Sequence, residues 1–245
     1  MGDIGWFVIK VALVVTLIRS FIIAPYNIPS ESMMPTLLVG DYLLVTKYDY
    51  GWSRYSLPFG VPLMSGRIMQ RLPARGDVVV FAVPEEGGRA VIKRVIGLPG
   101  DRVQMVAGRL LLNGSEIPKI PTDPLITEPT PGQPCTASSI PLSASQCAFP
   151  RFSETLPGDV RYDVLDTGTT PQDNTPIYTV PPAELFVMGD NRDNSGDSRF
   201  ATSIGGVGMV PLENVIGRAR RLFFSWDNTA DWIHKIRYER IGNGL

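Results

Sequence analysis

Residues 28–36 read IPSESMMPT, which sets Ser30 and Ser32 on either side of Glu31, between Pro29 and Met33-Met34-Pro35. Proline fixes its own φ and pushes the preceding residue into an extended conformation, so this is a stiff, kinked loop rather than a helix or a central strand. A small hydroxyl held rigidly beside apolar side chains is a candidate nucleophile. The competing reading is a turn in which the hydroxyls bond local backbone.

A serine nucleophile needs a neighbour that removes its proton. The one histidine, His234, lies in TADWIHKIRYER, where Trp232, Ile233 and Ile236 form the apolar side of a short helix. That context points to packing or solvation. Lysine is the other candidate base, provided burial lowers its pKa toward neutrality. The chain has five lysines. Lys10 falls in the apolar N-terminal segment, Lys119 in a polar insert, Lys235 in the tail, and Lys47 at the end of a strand beside Tyr48 and Asp49. Lys93 differs from these. In AVIKRVIGLPGD, strand alternation puts Val91, Lys93 and Val95 on one face, with Ile92, Arg94 and Ile96 on the other. Lys93 therefore occupies a position that patterning fills with an apolar residue. A depression of about three pKa units would correspond to roughly 4 kcal/mol of destabilised ammonium. A lysine snorkelling from a sheet edge fits the same pattern.

A third stretch, GDNRDNSGDSR at 189–199, has no apolar side chain and follows the hydrophobic run LFVM. It lacks the bidentate Glu and the register of an EF-hand, so a calcium loop is a weak reading. With one histidine, and with Cys135 and Cys147 outside any C-x-x-C, no zinc site is expected. A formal net charge of -1 and a pI near 5.9, without a basic run, argue against a nucleic-acid footprint.

The elements that must position these residues are mostly strands. DYLLVTKY (41–48), DVVVFAV (77–83), RAVIKRVIGL (89–98) and AELFVMGD (183–190) are β-branched or alternating runs bounded by Gly, Pro and Asp. DRVQMVAGRLLLNG (101–114) reads as two strands joined at Ala107-Gly108, and MVPLENVIGRARRLFFSW (209–226) adds more strand. Residues 115–180, rich in Pro, Thr, Ser, Asp and Gly, read as an inserted lobe of loops and short hairpins. Two cysteines 12 positions apart in that insert point to a disulfide and an oxidising compartment, against the alternative of two free thiols.

Ahead of all this, GWFVIKVALVVTLIRSFIIA (Gly5–Ala24) would as a helix cover about 30 Å, enough to span a bilayer's hydrocarbon. Lys10 and Arg19 lie toward opposite ends and can snorkel to opposite interfaces. A cleaved signal is disfavoured because Ile22-Ile23-Ala24 is not a small-x-small site and Pro25 follows. An uncleaved anchor is the favoured reading, with a helix lying on the membrane surface as the alternative.

In this order and behind such an anchor, IPSESMMPTLLVGDYLLV (28–45), RGDVVVF (75–81), KRVIGLPGD (93–101) and GDNRDNSGDSR (189–199) resemble the motif boxes of bacterial type I signal peptidases. These are membrane-bound Ser-Lys endopeptidases that remove signal peptides. The resemblance implies a mainly β fold: an antiparallel catalytic core (27–114 and 181–245), an inserted lobe (115–180) and an N-terminal anchor (1–26). It implies Ser32 as nucleophile, Lys93 as general base, and Ser30 as oxyanion donor beside the Ser32 backbone N–H. Ser195 would orient the lysine, and Asp197 and Arg199 would form a supporting ion pair; charge and position pair Arg94 with Asp190. Ile28, Pro29, Met33, Leu37, Val91 and Ile92 would line the apolar substrate groove. Glu31 departs from the small residue many relatives have there, which bears on loop polarity or substrate contact. The implied substrates are exported preproteins cut after small residues, Ala-x-Ala above all. Membrane lipid and the export machinery are the implied partners, with no cofactor and no nucleic acid. The implied location is the bacterial inner membrane, single-pass, with the catalytic body on the periplasmic side.

Overall fold

The computed structural model describes residues 2–57, 60–61, 65–130, 132–135, 139–143, 146–227 and 235–245. His234, with Trp232 and Ile233, lies outside the described residues, so the packing role read for it is left there. The architecture is mainly β and antiparallel. Seven strands form the largest sheet, in the order Ile23–Asn27, Asp41–Thr46, Val215–Ser225, Val78–Val83, Arg89–Gly97, Glu184–Met188 and Val210–Pro211. Every adjacent pair is antiparallel.

The hairpin made by Val78–Val83 and Arg89–Gly97 sits in the middle of this sheet and is covered on both faces. Val78, Val80 and Ile92 pack with Ile28, Met33, Leu37, Leu43 and Val45. Val79, Phe81, Val91 and Val95 pack on the other side with Leu185, Val187 and Val210. A strand buried on both faces reads as a continuous apolar run, which is what VVVFAV is. Each such side chain contributes about 1.5–3 kcal/mol relative to exposure, so the hairpin is a rigid support. A third cluster joins Ile96, Phe186 and Met188 to the hairpin of Arg102–Val106 and Arg109–Leu112 and to Leu156, Tyr162 and Val164. The turn of that hairpin falls at Ala107 (φ 48°) and Gly108 (φ 74°), the pair of left-handed residues a two-residue hairpin loop needs.

Two expectations change. The apolar helix runs Gly2–Phe21 and stops before Ala24. Ile23–Asn27 instead pairs with Asp41–Thr46 as the edge strand of the large sheet. Pro25 cannot continue a helix, but it is tolerated on an edge where its missing N–H breaks no ladder. The stretch 115–180 is also more regular than loops and short hairpins: it holds the nine-residue strand Lys119–Thr127 and the 11-residue strand Gln146–Leu156. Its Pro-, Ser- and Thr-rich composition reflects exposed strand such as Lys119–Thr127, while Gln146–Leu156 buries Cys147 and Phe149 on one face and Leu156 on the other. Cys135 and Cys147 are joined by a disulfide, with Cα atoms 6.0 Å apart.

Among the described residues one helix is long and apolar enough to cross a membrane. Its span Ile4–Phe21 has mean hydropathy 1.9 over 18 residues and is only 6% buried against the body.

Candidate active site

Ser32 lies in the short 3-10 turn Glu31–Met33, which begins at extended Ser30 and is followed by the cis Met34–Pro35 bond. The expected kinked loop is therefore wound into one tight turn. Its position is fixed from below by Met33, which has no exposed surface. Lys93 stands mid-strand opposite Val79 in the buried hairpin and is 4% exposed. Its Nζ donates to Ser32 Oγ at 2.7 Å and to the Ile92 carbonyl at 3.0 Å. Burial dominates its charge state and pushes the ammonium pKa down to about 8. Asp197 and Asp190 pull the other way, while Arg89 and Arg199 add to the depression. A lysine so poised can hold a free lone pair at mildly alkaline pH, which an exposed lysine cannot. Ser30 Oγ lies 3.5 Å from Ser32 Oγ on the solvent side.

The loop 189–199 closes over this pair and is braced by buried ion pairs. Arg199 grips Asp197 through Nε and Nη2, both at 2.9 Å, with both side chains out of water. Burial pushes the Asp197 carboxyl up, but the Arg199 guanidinium and the N–H groups of Gly189 and Arg199 outweigh it and hold it below the usual range. Arg94 clamps Asp190 at 2.8 and 2.6 Å, the pairing expected from charge and position. Buried charges persist only when paired and hydrogen-bonded, and both pairs meet that condition. Ser195 is brought beside the nucleophile, yet its Oγ has no hydrogen-bond partner among the described residues, and Lys93 gives its hydrogen bonds to Ser32 and Ile92. Gly189 makes this approach possible: a Cβ there would sit 2.5 Å from the Ser32 carbonyl oxygen and would run into Ser195.

A groove of about 250 Å³ opens at Ser32 and Lys93. Ile28, Pro29, Val91 and Ile92 line it as expected, joined by Val80 and Val207. Met33 and Leu37 do not reach it. Both are fully buried in the core beneath the turn, because the 3-10 geometry points Met33 away from Ser32. The composition of the loop marks these residues as apolar; only the folded backbone decides which way they face.

Glu31 faces the 115–180 segment. Its carboxylate accepts from Thr130 Oγ1 at 2.9 Å, and its backbone carbonyl accepts from Asn191 Nδ2 at 3.1 Å. Asn191 Nδ2 also donates to Gln133 Oε1 at 2.6 Å, and the Asn191 N–H donates to the Ser32 carbonyl at 3.1 Å. Gln133 stands two residues before Cys135, so the disulfide lies next to the segment that buttresses the nucleophile turn. Sequence reasoning missed this brace, along with the fully buried Arg192–Glu154 pair with both contacts at 2.6 Å. A glutamate at the centre of the otherwise apolar and hydroxyl-bearing run FSETL was the available signal for the latter.

Residues 1–224 match the family described as "Signal peptidase, peptidase S26". The protein named "Signal peptidase I" in Rickettsia conorii is 36% identical over 263 aligned residues, covering 98% of this chain and 90% of its own. The protein of that name in Rickettsia typhi matches with the same identity and coverage, 36% over 98% of this chain and 90% of its own. A crystal structure of a signal peptidase I from Enterococcus faecalis V583 aligns with 60% of this chain and 97% of its own at 25% identity. Its TM-score is 0.33, an overlap too slight to bear on the fold.

Proposed function

The chain belongs to the peptidase S26 family of signal peptidases, and from that premise we propose a membrane-anchored serine endopeptidase that removes signal peptides from exported preproteins with Ser32 and Lys93 as its catalytic pair. The observation that carries this reading is the 2.7 Å contact between Lys93 Nζ and Ser32 Oγ inside the sheet, with burial pushing the lysine down to about 8.

Neutral Lys93 takes the Ser32 proton as Oγ attacks the scissile carbonyl carbon. The tetrahedral oxyanion is held by the Ser32 backbone N–H and the Ser30 hydroxyl, each donor contributing about 3 kcal/mol. Collapse breaks the C–N bond, and the proton held on Lys93 passes to the leaving amine. Water then attacks the acyl-enzyme, gives its proton to Lys93, and releases the new carboxylate as Ser32 regains its hydroxyl hydrogen. The buried pairs Arg199–Asp197 and Arg94–Asp190 hold the loop that frames the site, and their own charges are largely cancelled around the lysine.

The helix would anchor the protein in the bacterial inner membrane by a single pass, and the disulfide between Cys135 and Cys147 supports a body on the periplasmic side. Membrane lipid and the export machinery are then its neighbours. Ile28, Pro29, Val91 and Ile92 give the groove apolar walls, and the preference for small side chains before the cut is the one the family resemblance implies. A preprotein series carrying Ala, Gly, Ser, Val, Leu or Phe immediately before the cut tests the reading. Ala, Gly and Ser should be processed, and Leu and Phe should be slower by about tenfold or more, since overpacking costs about 1–3 kcal/mol. Equal cleavage across the series, or none of any member, defeats it.

The pH profile follows from the lysine. Below about pH 8 most of Lys93 carries the proton and cannot accept another, so kcat/KM should rise about tenfold per pH unit and level off above that value. Lys93→Arg should be inactive throughout, because a guanidinium stays charged. A flat profile from pH 6 to 10 would contradict the role of Lys93.

A further inference from the structure

A second, larger cleft lies between the end of the membrane helix and the sheet, with a volume of about 960 Å³. It joins the catalytic groove through Tyr26 and Ala90, which line both. Three cations line it: Arg19 from the last turn of the helix, Lys47, and Arg54. Its described lining includes no Asp or Glu, and none of the three cations is ion-paired among the described residues. Lys47 is 5% exposed and donates to the Ser56 carbonyl at 2.6 Å; Arg54 donates to the Tyr55 hydroxyl at 2.5 Å. Buried and half-buried cations without a counter-charge are costly, and elsewhere in this protein every deeply buried arginine has a carboxylate. This cleft is a concentration of positive charge awaiting an anion.

Its placement narrows the anion. Arg19 belongs to the turn where the apolar helix ends, and Trp52 Nε1 donates to the Phe21 carbonyl at 2.8 Å, pinning an aromatic ring at that end. Indole rings and the last helical turn mark the headgroup layer of a bilayer. Val15, Ala24, Leu57 and Ile216 add apolar surface to the lining, which suits the upper part of an acyl chain.

We propose that this cleft binds the phosphate of an anionic phospholipid headgroup between Arg19, Lys47 and Arg54. Arginine presents a planar fork to phosphate oxygens, and lysine a compact charge, so the set matches a phosphodiester. Tyr26 adds a hydroxyl that burial keeps protonated and thus able to donate. Burial and the Arg19 charge push Lys47 down to about 8, the direction an uncompensated cation takes, and a bound phosphate would reverse it. The lipid so held would seat the body on the membrane with its catalytic groove next to the bilayer surface.

Native mass spectrometry of the full-length protein, released from micelles holding equal amounts of phosphatidylglycerol and phosphatidylcholine, tests the assignment. Wild type should retain one phosphatidylglycerol with about tenfold or greater preference, since each cation near an anionic surface contributes a factor of about five. The double variant Arg19→Gln/Arg54→Gln, altered at the rim and therefore able to fold, should fall near parity; adding Lys47→Gln should remove what remains. Displacement of the lipid by excess inorganic phosphate overturns the lipid assignment in favour of a free-phosphate site. Equal retention of both lipids by wild type, or unchanged preference in the double variant, overturns the site altogether. None of these readouts depends on peptide cleavage. The inference does depend on the helix lying in the bilayer, which flotation of wild type with phosphatidylcholine vesicles checks separately.

Discussion

Ser32→Ala and Lys93→Met are each expected to lower preprotein cleavage by on the order of 10⁵-fold or more, the scale seen when a nucleophile or its base is removed from a serine protease. The double variant should be no worse than either single one, because the two groups act as a unit at 2.7 Å. Stability separates this loss from unfolding. The folded-state pKa of Lys93, about 8, lies below its ordinary 10.5, so between those values the unfolded chain binds the additional proton. Wild-type stability therefore rises with pH through that window, and the full penalty, about 3 kcal/mol, is present below it. Methionine removes the penalty along with two hydrogen bonds of about 1 kcal/mol each. Lys93→Met should accordingly be at least as stable as wild type at pH 7 in urea unfolding, and lose about 3 kcal/mol of that relative position by pH 10.5. An active Lys93→Met protein would sink the proposed chemistry. A stability difference that does not change with pH would show that Lys93 is not desolvated as described.

Much of this site was legible because its key residue breaks a pattern. A lysine among β-branched residues in AVIKRVIG cannot be buried without a reason, and its strand was readable from the same run. The acidic and basic residues of 189–199 were likewise visible as a group, since no strand or helix uses such a sequence. What stayed hidden depends on chain segments far apart. Thr130 meets Glu31 across 99 positions and Arg192 meets Glu154 across 38, and nothing local to any of these residues announces its partner. Met33 and Leu37 show a different limit. Their apolar character was plain, but core and groove are both apolar destinations, and the choice between them is made by the backbone path of the folded chain, for Met33 by the Glu31–Met33 turn. At Pro25 the sequence correctly forbade helix, while the strand that replaced it required a partner, Leu44, that only the folded sheet supplies.

Gly189→Ala is expected to cost about 100-fold in kcat with little change in KM, although the methyl group touches no substrate. Gly189 ends the run from Glu184–Met188 into the 189–199 loop, and its N–H is fixed by donation to Asp197 Oδ2 at 3.0 Å. Its φ is not the issue. A Cβ at this position would lie 2.5 Å from the Ser32 carbonyl oxygen and 2.5 Å from Ser195 Cβ, both held by their own backbone. Ordinary contact between such atoms begins near 3.4 Å, so something must move by nearly 1 Å. The Gly189 side is tied to Asp197, itself locked by an ion pair with Arg199, whereas the Ser32 turn, seated on Met33, is held on this side by neutral hydrogen bonds such as the one from Asn191 N–H at 3.1 Å. The turn gives way, and Ser32 Oγ leaves its alignment with Lys93. A displacement of that size at a reacting atom costs about 10²-fold, and the overpacking itself about 1–3 kcal/mol of stability. Ser195→Gly in the Gly189→Ala background relieves one of the two collisions and should recover part of the rate, while Ser195→Gly alone cannot raise kcat. Steady-state kinetics of the three variants, with thermal unfolding of each, distinguish displacement of the nucleophile from general loss of structure. Wild-type kcat in a stably folded Gly189→Ala protein would mean that the close approach of 189 to Ser32 plays no part in placing the nucleophile.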